Sequence, residues 1–397
     1  MTIPTPTSAD ASVGDAAARG SAATPPTAAT PATAATPATQ ASQPPSSLDL
    51  AAARARERAT EVEARLAADP GAFRVLTGER PTGPLHIGHY FGTVANRVRL
   101  QRSGVEVLLV LADYQVVADR DVAGDIRGAV HEIVLDYLAA GLDPGATTIF
   151  THSAVPALNQ LMLPFLSLVT VAELDRNPTV KAELAASGGR ALSGLLLTYP
   201  VHQAADILFC RANLVPVGKD QLPHIELTRT VARRFNQRYT PADPLFPEPD
   251  ALLSDAPTVL GTDGAKMSKS AGNAIALRAS ADETARLVRS MRTDSERHVT
   301  YDPAARPEVA NLLLLAGLSL GERPEVLAEQ VGARGSGALK ALVTDALVEH
   351  LAPLRARRAE LAREPGLVEE VLRDGEARAR AVADDTLARV RAAMGMA

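Results

Sequence analysis

Between residues 73 and 210, short Val/Leu-rich runs alternate with longer stretches of helical period, and this rhythm limits the possible folds more than any other feature of the chain. FRVLTGERPTG reads as a strand, Phe73 to Thr77, entering a Gly/Pro turn, and a helix resumes near Ile87. VEVLLVLAD (Val105 to Asp113) and TTIFTHS (147–153) are strand-like by length and residue type, while 123–141, 156–172 and 190–210 carry helical patterns. That order predicts an α/β fold with an open parallel sheet, whose ligands bind outside the carboxyl ends of the strands.

From about Pro307 the pattern becomes helical only, in Leu312 to Leu320, Val326 to Val331, Leu339 to Leu351 and Leu367 to Met394. The expected organisation is an N-terminal helix over 49–70, an α/β domain over 71–300 with a helical insertion around 156–210, and an all-α domain over 301–397. Residues 1–48 are mostly Ala, Thr, Pro and Ser with Arg19 as the one basic residue, so burial cannot offset their ordering entropy and a disordered tail is expected. They lack the apolar core of a secretory signal and the Arg content of a transit peptide. No apolar run reaches the ~20 residues that would cross a bilayer.

With 3% aromatics and no Trp, aliphatic side chains must fill the core. The single Cys210 excludes an intramolecular disulfide and a multi-thiolate zinc site, which points to a reducing, cytoplasmic setting and no protein-held metal. A net charge of -5 gives no global attraction to nucleic acid, so any polyanion contact must be local. Residues 352–397 hold nine Arg against eight acidic residues, the balance of a solvated helical surface.

Two segments carry chemistry. Pro81-Thr82-Gly83-Pro84-Leu85-His86-Ile87-Gly88-His89 falls at the first strand-to-helix junction. A helix start offers free N–H groups, Gly88 permits close approach, and His86 and His89 can donate to phosphate oxygens. Gly264-Ala265-Lys266-Met267-Ser268-Lys269-Ser270 places two Lys three apart in a Gly/Ser-rich loop, where they can act as point charges over a polyphosphate. On a regular helix the same Lys pair would be an ordinary solvated face.

The HIGH sequence, followed 180 positions later by KMSKS, resembles the class I aminoacyl-tRNA synthetases, which implies a Rossmann-like catalytic domain. In that family the pair binds ATP and stabilises the pentacoordinate α-phosphate, with Mg²⁺ held through the ATP phosphates; His86, His89, Lys266 and Lys269 would be the catalytic groups. From Phe73 onward the chain is most similar to the tryptophan–tRNA ligase family. The stretches that carry this are LLLTYPVHQAADILFCRANLVPVGKDQLPHIELTRTVARRFNQRY (195–239), TDSE (293–296), RPEVANLLLLAGL (306–318) and LARVRAAMG.

The resemblance implies activation of L-tryptophan to Trp-AMP, transfer to tRNA(Trp), an anticodon-reading helical domain and a homodimer. Arg80, Pro81, Thr82, Gly88, His89, Gly218, Lys219, Asp220, Val259, Lys266, Met267, Ser268, Lys269 and Ser270 would bind ATP. Asp206 would accept the indole N–H, Gln221 would meet the ammonium, and Tyr199, Gln203 and Gln115 would complete the amino-acid pocket. The chain departs from the family at residue 203, Gln where bacterial members usually have Met, and at residue 115, Gln where many have His. Tyr199, Gln203 and Asp206 lie on one helix face, and tyrosine–tRNA ligases present the same three types, so that face leaves tyrosine open as a substrate. A non-catalytic tRNA-binding paralogue would be expected to have eroded phosphate motifs, and these are intact.

Overall fold

The computed structural model describes residues 47–118, 124–181, 193–253, 258–269 and 271–396. Ser270, the start of the 190–210 segment and almost all of the 1–48 tail lie outside the described residues. Residues 45–397 form one compact unit.

Its centre is a five-stranded parallel sheet of β1 (Arg74–Glu79), β2 (Glu106–Leu111), β3 (Thr147–Thr151), β4 (Leu214–Val217) and β5 (Asp250–Leu253), in the order β3-β2-β1-β4-β5. Val75 pairs with Val107 on one side and with Leu214 on the other. The chain builds outward from β1 through β2 to β3, then crosses back to place β4 on β1's other side. The carboxyl ends of β1 and β4 therefore flank the switch point, the crevice where such sheets bind ligands. The first three strands fall where the alternation predicts them. β4 and β5 carry weak signals: β4 contains Pro216, which donates no ladder hydrogen bond, and β5 is the four-residue segment DALL.

The helices α1 (Ser47–Ala68), α2 (Ile87–His89), α3 (Ala95–Arg102), α4 (Asp113–Ala118), α5 (Ile126–Ala140), α6 (Pro156–Leu166), α7 (Val171–Asp175), α8 (Gly194–Leu208) and α9 (Leu222–Tyr239) cover the sheet. The predicted 156–172 helix is thus two helices, broken before Thr170, whose side chain caps α7 by accepting from the Glu173 N–H. Val62 and Leu66 of α1 join Phe73, Val75, Leu214 and Leu252 in one apolar cluster, which anchors this charged helix.

After the loops come α10 (Ala281–Ser290), α11 (Pro307–Leu320), α12 (Pro324–Val331), α13 (Gly335–Leu361) and α14 (Leu367–Ala393). They share apolar clusters with the α/β part: Leu312, Leu339 and Leu351 pack with Ile87, Ile133 and Leu85, and Ala379 and Ala383 with Phe150 and Leu158. Aliphatic residues dominate these clusters, as an aromatic-poor sequence requires.

The last helix covers the open edge of β3. Arg378 donates to the Pro144 and Thr147 carbonyls, and Thr151 donates to Glu376. Covering an edge strand in this way blocks pairing with foreign strands. The approach is so close that a Cβ on Gly375 would lie 1.9 Å from the Ile149 carbonyl oxygen. In an open helix Gly→Ala stabilises by up to about 1 kcal/mol. Here the clash dominates, so Gly375→Ala should lose roughly 1–3 kcal/mol. Thermal denaturation reads the sign directly, and an unchanged or higher Tm would contradict the close approach.

Candidate active site

The chain leaves β1 at Glu79, turns through Arg80–Pro84 and enters α2 with His86 at the N-cap in extended conformation (φ −125°, ψ 169°). The two signature segments meet here. The Ile87 N–H donates to the Ile275 carbonyl at 3.0 Å, and the Leu277 N–H to the Leu85 carbonyl at 3.0 Å. The strand of chain that follows the KMSKS loop is thereby stitched antiparallel to the start of the HIGH segment, with a bridge at His86 and Ala276. Lys269 Nζ reaches across to the Gly83 carbonyl at 2.8 Å. One sequence expectation needs correction: the Ile87 N–H is not free for a ligand, because Ile275 uses it.

The imidazoles of His86 and His89 lie against one another, tilted by 39°, with centroids 3.7 Å apart. His89 Nδ1 accepts the His86 backbone N–H at 3.2 Å, which assigns its proton to Nε2. Burial, with positive neighbours including Lys269, lowers both residues to about 3. Both rings are therefore neutral donors at neutral pH. His86 Nδ1 is buried without a hydrogen-bond partner among the described residues, an orphaned polar atom of the kind that a ligand satisfies. Burial also lowers Lys269, opposed by Glu79 and Asp136.

Residues 266–269 of the KMSKS segment lie in a loop. Asn273 is its organiser: its Oδ1 accepts the Ser268 N–H at 2.8 Å, and its Nδ2 donates to Asp263 and to the Lys266 carbonyl. Met267 is buried beneath Gly88 and its N–H donates to the Val259 carbonyl, so Met267 and Val259 act as the loop's apolar root. Lys266 stays exposed. Asn311 of α11 grips the Leu260 N–H at 2.7 Å, fixing the loop to the helical layer. In that layer Arg306 clasps Asp294 through two 2.7 Å bonds, so the TDSE and RPEV stretches hold one another. Asp136 of α5 accepts the Leu85 N–H and an Arg358 bond from α13, reaching the same segment from a third direction.

Beyond β4, Gly218 caps a 3-10 turn, Lys219–Gln221. Gln203 donates to Gln221 at 3.3 Å, and Gln221 to Asp220 at 2.8 Å. Tyr199 OH lies 3.2 Å from Nε2 of His224, whose value burial lowers to about 4. The expected face of α8 thus meets the 3-10 turn at Gln203 and α9 at Tyr199. Gln115 is half-buried in α4, just past β2. Arg80 and Thr82 are exposed on the turn and Pro81 is buried.

Asp206 is 2% exposed, and its partner carries no sequence signal: His152, itself fully buried, places Nε2 2.8 Å from Asp206 Oδ1. Burial pulls His152 down, but the charge and contact of Asp206, with Asp113 behind, raise it above the ordinary imidazole value. With His202, these two side chains offer ligand atoms within 4.8 Å of one another. However, the imidazole already balances the carboxylate, and His202 Nε2 is engaged by Asn159 at 2.7 Å. A cleft of about 490 Å³ opens beside the Pro81–Pro84 turn, towards Asp125, His131 and Arg278. It includes none of the histidines and lysines of the cradle, so it borders this site without forming it.

The depressed imidazoles have a pH consequence. Between pH 6.5 and about 3 the unfolded chain binds protons that folded His86 and His89 refuse, so their contribution to stability falls as pH drops through that window. NMR titration of the two rings should show no transition near 6.5; transitions there would contradict their placement.

Residues 69–352 match the family described as tRNA synthetases class I (W and Y). The tryptophan–tRNA ligase of Treponema pallidum is 44% identical over 333 residues, 82% of this chain and 97% of that protein. That of Streptococcus pyogenes serotype M1 is 41% identical over 337 residues, 81% and 98% of the two chains. The crystal structure of tryptophanyl-tRNA synthetase from Campylobacter jejuni, complexed with ADP and tryptophan, superimposes with a TM-score of 0.69 at 28% identity, covering 81% of this chain and 99% of that one. With its signature segments stitched together at the switch point of the sheet, the chain belongs to the class I tRNA synthetases and, within them, to the tryptophan–tRNA ligases.

Proposed function

We propose that this chain activates L-tryptophan with ATP, forming Trp-AMP and pyrophosphate, and then transfers the tryptophanyl group to tRNA(Trp). The observation that carries this reading is the joined cradle: two neutral imidazoles and the Lys269 ammonium gathered at one strand end. In the first step a tryptophan carboxylate oxygen bonds to the α-phosphorus as the bond to the pyrophosphate oxygen breaks. Charge grows on the equatorial and leaving oxygens. His86 and His89 donate to it from one side; Lys269, released from the Gly83 carbonyl, and exposed Lys266 supply charge from the other. Catalysis is positioning plus electrostatics, without a protein nucleophile. In the second step a terminal tRNA hydroxyl attacks the acyl carbonyl and AMP leaves.

The remaining ATP contacts are assigned to Arg80, Pro81, Thr82, Gly88, Gly218, Lys219, Asp220, Met267, Ser268 and Ser270, with Val259 against adenine. Asp206 accepts the indole N–H, Gln221 meets the ammonium, and Tyr199, Gln203 and Gln115 close the pocket. The cradle offers hydrogen-bond donors rather than a cage of carboxylates, which suits a Mg²⁺ carried on the triphosphate. When bound there, such an ion would supply charge neutralisation on the pyrophosphate, and the residues of the cradle would hold the phosphates that carry it.

The helices from Pro307 onward are assigned to anticodon reading. A homodimer through α6 and α7 is supported by Leu163 and Val171, which are 72% and 69% exposed on neighbouring helices. No described helix is long and apolar enough to cross a membrane, and the one cysteine is buried and free, both consistent with a cytoplasmic enzyme.

Tyrosine is the second reading, favoured only by the shared face of α8. ATP–pyrophosphate exchange across the twenty amino acids should respond to tryptophan alone, in a preparation that sediments as a dimer; exchange driven by tyrosine, or none, would overturn the assignment. In the same assay Lys269→Ala should lower kcat by roughly 10²-fold or more, whereas a change confined to KM would remove the transition-state role.

A further inference from the structure

We propose that His152 is a specificity-determining positioning residue: it pins one oxygen of the Asp206 carboxylate so that the other is presented to the ring N–H of the amino acid. This inference rests on the assignment of Asp206 as the indole acceptor.

Four observations carry it. The first is the pair itself, His152 Nε2 to Asp206 Oδ1 at 2.8 Å, with both residues almost without solvent. The contact is an ion pair on Oδ1 rather than an aligned hydrogen bond, since His152 Nε2 and Asp206 Oδ1 both lack a hydrogen-bond partner among the described residues, and no described group donates to Oδ2. A buried carboxylate with no partner is costly, and removing the imidazole would leave one.

The second is the fixed position of the ring. His152 directly follows β3, its N–H points to the Leu111 carbonyl and its carbonyl accepts from Asn159 at 2.9 Å. Ser153 is held by both carboxylate oxygens of Asp113 at the end of β2. Tyr114 stacks on the ring at 6.4 Å with planes 30° apart.

The third is the set of charges around it. Asp206 and His202 face it from α8, and Asp113 and Tyr114 from α4. The two carboxylates favour a cationic His152, while burial pushes His202 towards the neutral form. The fourth is Asn159. Its Nδ2 is spent on the His152 and Val155 carbonyls, so Oδ1 must accept from His202 Nε2. His202 then has no N–H on Nδ1 in its neutral form and cannot take the place of His152 beside Asp206.

An acceptor oxygen fixed in this way rewards a ring N–H and nothing else on the indole. The effect should therefore appear as selection between tryptophan and its isostere with sulfur in place of the ring N–H, benzothienylalanine. The test measures kcat/KM for both amino acids in ATP–pyrophosphate exchange by the full chain, with the wild type, His152→Ala, His152→Gln, Asp206→Ala and the His152→Ala/Asp206→Ala double variant.

The expected result is that Asp206→Ala and His152→Ala each reduce the tryptophan preference about 10-fold or more. The loss should lie mainly in KM, and the double variant should be no worse than Asp206→Ala. His152→Gln keeps a donor and should restore part of the preference, which also separates the effect from misfolding. If Asp206→Ala abolishes the preference while His152→Ala leaves it intact or lowers both amino acids equally, the positioning role is overturned. If Asp206→Ala itself leaves the preference unchanged, the indole-acceptor reading fails, and this inference fails with it.

Discussion

Two backbone hydrogen bonds, Ile87 N–H to Ile275 and Leu277 N–H to Leu85, hold together a site that the sequence divides by 180 positions. They place the KMSKS loop over the turn that leaves β1 and bring Lys269 within reach of the Gly83 carbonyl. Without that stitch the lysines would project from a surface loop, and the paired histidines would face solvent at a helix start. With it, imidazoles and ammonium groups share one small volume at the switch point of the sheet. Asp136 and Arg358 secure Leu85 from beneath, and Asn311 secures Leu260 from the helical layer. The C-terminal helices are therefore mechanically continuous with the proposed nucleotide cradle.

The electrostatics of the cradle follow from burial. A protonated imidazole beside Lys269 would add repulsion to a desolvation penalty, so His86 and His89 stay neutral and act as donors without carrying charge. Positive charge is left to the lysines, Lys266 exposed and Lys269 resting on the Gly83 carbonyl, which in the proposed reaction it exchanges for a phosphate oxygen. Catalytic groups held in place beforehand need little reorganisation when charge develops in the transition state. The amino-acid side follows the opposite rule. There a buried carboxylate, Asp206, is paired with His152 at 2.8 Å, and the pairing raises the imidazole above its ordinary value despite burial.

What could be read from the sequence was local. Strong apolar runs marked β1 to β3, residue type and spacing marked both signature segments, and helical spacing put Tyr199, Gln203 and Asp206 on one face. β4 and β5 were hidden because Pro216 and the short DALL segment lack a strand signature; their partners, not their propensities, make them strands. The clasps made by Asn273 and Asn311 depend on contacts across the fold, which no local signal reveals. His152 carried no signal at all, since only the sheet brings the end of β3 to α8. The same holds for Gly375, which reads as a poor helix former until the carbonyl of Ile149 is seen against it.

The most direct measurement is a crystal structure of the chain with a non-hydrolysable ATP analogue and tryptophan. The account predicts a triphosphate between the two imidazoles and Lys269, whose ammonium has left the Gly83 carbonyl for a phosphate oxygen while the Ile87–Ile275 hydrogen bond persists. A nucleotide bound elsewhere, or an imidazole pair and lysine that never approach the same phosphate chain, would contradict it.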